Sequence, residues 1–115
     1  MTISAAYENT ASIGTTEYSC PNASTTLTPI TADGIYQTFL DVSDMIAGDE
    51  LQIRVYEKVQ SAGTQRIVYQ SNLVGAQSPP IMVIPSLVLM HGWDITLDCI
   101  AGTTITVAWS IRQVA

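Results

Sequence analysis

Along the chain, apolar residues recur at every second position in short runs, and no stretch keeps the three- and four-residue spacing of a long amphipathic helix. The cleanest run is Leu51–Val59. Leu51, Ile53, Val55 and Val59 share one face, Gln52, Arg54, Tyr56 and Lys58 the other, and Glu57 interrupts the apolar side. Trp93, Ile95, Leu97 and Cys99 alternate in the same way with Asp94, Thr96 and Asp98. Ile105, Val107, Trp109 and Ile111 mark one face of a last strand within Thr103–Val114. Turn residues punctuate these runs: Pro21-Asn22, Asp33-Gly34, Ser61-Ala62-Gly63, Gly75–Pro80, His91-Gly92 and Ala101-Gly102.

Further strands are predicted over Ser12–Ser19, Thr25–Ile30, Ile35–Val42 and Gln65–Val74, the last as the hairpin partner of Leu51–Val59. Ile81–Leu89 is apolar on both faces. It is either a central strand covered on both sides or a strand whose outer face meets a partner. Residues 1–10 are weakly patterned and read as an extended N-terminal arm. About 7–8 short antiparallel strands joined by turns give an all-β fold, a β-sandwich with jelly-roll or immunoglobulin-like connections. It forms one domain over residues 1–115, with one short helical turn near 43–47.

Four acids, Asp41, Asp44, Asp49 and Glu50, fall within ten positions at that turn. They could be oxygen ligands for Ca²⁺, but their spacing is not that of an EF-hand loop. Asp41 or Ser43 capping a helical turn, Met45 and Ile46 anchoring it, and Gly48-Asp49 turning into the next strand account for the same residues without a metal. His91 is the single histidine. Asp94 and Cys99 lie nearby but should project to opposite faces of their strand, so no nucleophile–base pair is indicated, and His91 reads as a turn residue packed on Trp93. Glu57 reads as the cross-strand partner of Arg66 rather than as a catalytic carboxylate.

Composition narrows the function. Charged residues are 12% of the chain, and the net charge is −6 with four Lys and Arg in all. Arg54, Lys58, Arg66 and Arg112 cannot build the basic surface that nucleic acid or an anionic membrane requires. The first ten residues lack a signal-peptide pattern, which points to synthesis in a cytoplasm and to Cys20 and Cys99 as free buried thiols. Asn22-Ala23-Ser24 is then a turn rather than a glycosylation site. Tyr7, Tyr18, Tyr36, Tyr56, Tyr69, Trp93 and Trp109 raise the question of a sugar platform. Alternation turns both tryptophans inward and leaves Tyr36, Tyr56 or Tyr69 as the candidates.

The run YQTFLDVSDMIAGDELQIRVYE, Tyr36–Glu57, and LVLMHGWDITL, Leu87–Leu97, resemble small virion proteins encoded beside capsid genes in tailed bacteriophages. The resemblance extends over most of the chain and rests on texture rather than on a catalytic motif. It implies a capsid decoration or cement protein, bound to the major capsid protein on the virion surface and often trimeric, with no cofactor, metal or catalytic residue. A tail, baseplate or fibre component is the structural alternative. A glycan- or host-surface-binding module is the alternative of another class.

Overall fold

The computed structural model describes residues 2–114. Eight strands appear: β1 (Ile3–Ile13), β2 (Tyr18–Ser19), β3 (Gly34–Asp41), β4 (Glu50–Glu57), β5 (Arg66–Val74), β6 (Ile81–Leu89), β7 (Asp94–Ala101) and β8 (Ile105–Val114). They form two four-stranded antiparallel sheets, the first in the order β1-β8-β3-β6 and the second in the order β2-β7-β4-β5. First pairs with last, second with seventh, third with sixth and fourth with fifth. That is the wiring of a jelly roll, and it selects between the two connections the sequence allows.

The alternating runs form the core as their periodicity requires. Leu51, Ile53 and Val55 from β4 face Ile105, Val107, Trp109 and Ile111 from β8, and Trp93, Ile95, Leu97 and Cys99 complete the layer; all are buried. Cys20 and Cys99 are buried and unpaired. The Cys20 thiol is pushed well above its ordinary pKa, first by burial and then by nearby Asp94.

Several local expectations change. Residues 3–13 are not a free arm: they are hydrogen-bonded to β8 along their length as β1. The expected strand Ser12–Ser19 therefore divides into the end of β1, a bend at Thr15-Thr16 and the two-residue β2. Thr25–Ile30 is not a strand; it touches the sheet only where Ile30 bridges Trp93. The segment 43–47 forms two successive tight turns, closed by Met45 N–H to Val42 O (3.1 Å) and Asp49 N–H to Ile46 O (3.1 Å), rather than a helical turn. Five residues cannot propagate a helix when side chains offer the backbone better partners. Val59 lies beyond β4 and is exposed.

Every long edge strand is interrupted. Against β8, β1 carries an extra residue at Ala6, since Ala5 pairs with Arg112 and Tyr7 with Ile111. Against β4, β5 has an extra residue at Val68. Opposite Gln37, β6 inserts Pro85 and Ser86. The fourth edge, β2, is two residues long. Bulges, a proline and shortness are the devices by which sheets avoid pairing edge to edge with other chains.

Candidate functional site

The outer face of the second sheet brings Glu17, Arg54, Asp94 and Asp98 together. Alternation along β4 turns Gln52, Arg54 and Tyr56 outward. Along β7 it does the same for Asp94, Thr96 and Asp98, with Arg54 opposite Thr96 and Tyr56 opposite Asp94. The segment between β1 and β2 folds back over this face and contributes Glu17. One Glu17 oxygen accepts from Tyr56 Oη and Thr96 Oγ1, each at 2.5 Å, and lies 3.9 Å from Arg54 Nη1. Among the described residues this Arg54–Glu17 contact is the single ion pair. Ser19 Oγ donates to Asp94 Oδ1 at 2.7 Å, which also accepts from Ile95 N–H at 2.8 Å, and Cys20 N–H donates to Ile95 O at 2.9 Å.

The cover explains why Asp94 and Thr96 are buried although they belong to the polar side of an alternating strand. Burial pushes the Asp94 carboxyl up to about 6. The Ser19 and Ile95 hydrogen bonds oppose the shift, and Glu17 adds to it. Asp98 is raised as well, first by desolvation, and Tyr56 is raised by burial and by its bond to Glu17.

A carboxyl whose pKa is higher folded than unfolded contributes stability that is complete below the unfolded value, near 4, and is lost as pH rises through the folded value, near 6. Asp94→Asn keeps the Oδ1 acceptor for both donors and removes the charge. The melting temperature of the variant is expected to match the parent at pH 4.5 and to exceed it by a few degrees at pH 7.5. A variant equally or less stable at both pH values contradicts this account of Asp94.

The residues singled out by sequence do not converge. Asp41 accepts from Ser43 N–H at 3.0 Å, and the Ser43 side chain and amide hold its carboxyl below the usual range. Asp44 accepts from Thr106 N–H at 2.8 Å and ties the turn to β8. Asp49 is buried and accepts from Ile46 N–H at 3.0 Å. It leaves no room at Gly102, whose φ is +96° and where an added Cβ would lie 2.2 Å from Asp49 Oδ1. Glu50 accepts from Asn72 Nδ2 at 2.9 Å. Each acid thus closes a different turn or strand contact. Among the described residues no group of three His, Cys, Asp or Glu is placed to hold a metal.

Glu57 and Arg66 are register partners, as the hairpin predicts, but the carboxylate is engaged elsewhere. It accepts Lys58 N–H (2.9 Å), Met90 N–H (2.6 Å) and His91 N–H (3.0 Å), holding the turn between β6 and β7. The expected Arg66 pair yields to backbone amides because Glu57 points into the sandwich and is buried, while Arg66 is exposed. The aromatic partners of Trp93 are Tyr7 and Tyr36. Tyr36 is buried in the core, Tyr69 packs inward from β5, and Tyr56 alone of the three lies on an outer face, so they form no common platform.

The first sheet has an outer face of the opposite character. Ile3, Val114, Ile35 and Val88 are successive register partners across all four strands, an apolar row running the width of the sheet. Ile3 is 62% exposed, Ile35 43% and Val88 70%. Further along, Phe39 lies beside Val83, and the Arg112 guanidinium sits 3.9 Å over the Phe39 ring. The doubly apolar Ile81–Leu89 is therefore not a central strand covered on both sides but an edge strand whose outer face is exposed. Sequence reasoning missed Glu17, a lone acid in a polar loop, and missed the cross-strand row, which exists only once the register is known.

No protein-family model matches the chain, and no curated protein sequence does. Among solved structures it is similar to the mitogen derived from Yersinia pseudotuberculosis, with a TM-score of 0.54 and 10% identity over 99% of this chain and 86% of that one. A second similarity is to a protein of the Bacillus endospore appendages, a family of disulfide-linked pili, with a TM-score of 0.46 and 15% identity over 97% and 88% of the two chains. At such identities the likeness to the mitogen is one of fold.

Proposed function

We propose that this chain is a structural virion protein, a decoration or cement protein on the outer capsid shell of a tailed bacteriophage. In this reading it is made in the host cytoplasm and binds the major capsid protein together with further copies of itself. The observation that carries the proposal is the pair of contrasting outer faces. One is an open apolar row, Ile3–Val114–Ile35–Val88, and the other an acidic surface around Glu17, Asp98 and Glu50. A small domain that leaves such an apolar face uncovered is built to be covered by protein. Its bulged edges keep that contact from growing into an open sheet. The resemblance of Tyr36–Glu57 and Leu87–Leu97 to phage decoration proteins supplies the setting, and repetition around a shell makes a modest contact effective.

The test is addition of the purified protein to particles that lack it, followed by sedimentation, electron microscopy and heating. Saturable binding to the shell, and release of the genome at a higher temperature, are expected. Absence from the shell at saturating protein would sink the reading, and density confined to the tail would replace it with a tail or fibre role.

A further inference from the structure

We infer that the outer face of the first sheet is covered by a second copy of this chain, packed face to face about a twofold axis. The inference rests on the proposed structural role and names the partner of its apolar face. Four strands of about nine residues present a footprint of about 600 Å², at roughly 4.8 Å between strands and about 3.3 Å per residue. Side chains standing off the sheet raise the accessible area further, toward the roughly 800 Å² that each partner of a stable pair contributes.

The charges on this face favour a like partner. It carries Glu8, Asp41 and Arg112, with Asp33 at its rim beside Ile35, a net of −2 out of the chain's −6. Glu8, Asp41 and Arg112 are already engaged within the subunit: Glu8 accepts from Ser110 Oγ at 2.6 Å, Asp41 from Ser43 N–H, and Arg112 covers Phe39. Two copies can therefore approach here with little stacking of like charge. On the second sheet, Glu17, Glu50 and Asp98 are set against Arg54, and two such faces repel.

The bulges settle the geometry of the pair. With Ala6, Val68 and Pro85–Ser86 interrupting the long edges, a second copy cannot extend either sheet by a regular ladder. Packing through a face remains, and a twofold axis matches the apolar row with itself. Two shallow depressions lie on this face, one at the row itself, lined by Ile35, Val88 and Val114, and one further along, lined by Phe39, Ile81 and Arg112. They can receive side chains from the opposing copy.

Sedimentation velocity of the full chain across a hundredfold concentration range tests the pairing. The parent protein is expected to move from monomer to dimer, and to do so equally in low and high salt, because the contact is apolar. Ile35→Glu with Val88→Glu should hold the protein monomeric at the highest concentration, with circular dichroism and melting temperature unchanged. Val59→Glu, on a still more exposed valine in the β4–β5 loop, should leave the dimer intact. A parent that stays monomeric, a doubly charged variant that still pairs, or equal disruption by Val59→Glu overturns the inference. Particle binding separates the two proposals: a monomeric parent that decorates shells refutes the pairing alone, and a dimer that ignores shells refutes the virion role alone.

Discussion

Replacing Trp93 by alanine is expected to destabilise the fold by about 3–5 kcal/mol, against a total of about 5–15 kcal/mol for a domain of this kind. Trp93 is fully buried where β7 begins. Its ring stands at 78° to Tyr7 with centroids 5.9 Å apart, and lies 4.5 Å from Tyr36. The indole N–H donates to Ala32 O at 2.9 Å, the same oxygen that accepts Tyr36 Oη at 2.8 Å. Its backbone pairs in both directions with Ile30, pinning the long β2–β3 connection to the sheet. Alanine leaves a cavity shared by two elements that cannot collapse together. Phenylalanine keeps most of the volume and leaves Ala32 O with its tyrosine partner, so Trp93→Phe should cost about 1–2 kcal/mol. Urea unfolding followed by far-ultraviolet circular dichroism measures both. A Trp93→Ala variant within about 1 kcal/mol of the parent contradicts this account.

The inward faces of β4, β7 and β8 were legible because each strand pairs a period of two with β-branched and aromatic residues, and the core takes every inward apolar residue of those runs except Val59. The order of the strands was not, because β1 meets β8 across almost the full length of the chain and no local pattern encodes that pairing. The stretch ISAAYENTASI shows why β1 was missed: its inward positions include alanines and an asparagine, and β8 supplies the apolar bulk opposite them. Glu17 illustrates the limit for sites. Its partners Tyr56 and Thr96 lie 39 and 79 residues away, so only the folded sheet brings them to one oxygen. The two-faced character of Ile81–Leu89 was plain, whereas its place at an edge became visible only with the order of the sheet.

Glu57 provides the second large effect, and it separates a backbone clamp from an ion pair. Glu57→Ala removes a buried carboxylate and leaves the amides of Lys58, Met90 and His91 without their acceptor, at an expected cost of about 2–4 kcal/mol. Glu57→Gln preserves the size of the side chain but has one acceptor oxygen and one amide nitrogen. Either Lys58 N–H or Met90 N–H then faces another donor, because the two amides are held by different carboxylate oxygens. The glutamine variant should therefore lose about 1–3 kcal/mol, well over half of what alanine loses. Arg66, the neighbour that cross-strand pairing favours, is exposed and bonded to neither oxygen, so Arg66→Ala should stay within about 0.5 kcal/mol of the parent. Hydrogen exchange adds a local readout: in Glu57→Gln the Met90 and His91 amides should lose protection ahead of the β4 ladder. An Arg66→Ala variant as unstable as Glu57→Ala would restore the ion pair as the reason for the acid. Equal protection of the two amides in parent and glutamine variant would remove the clamp.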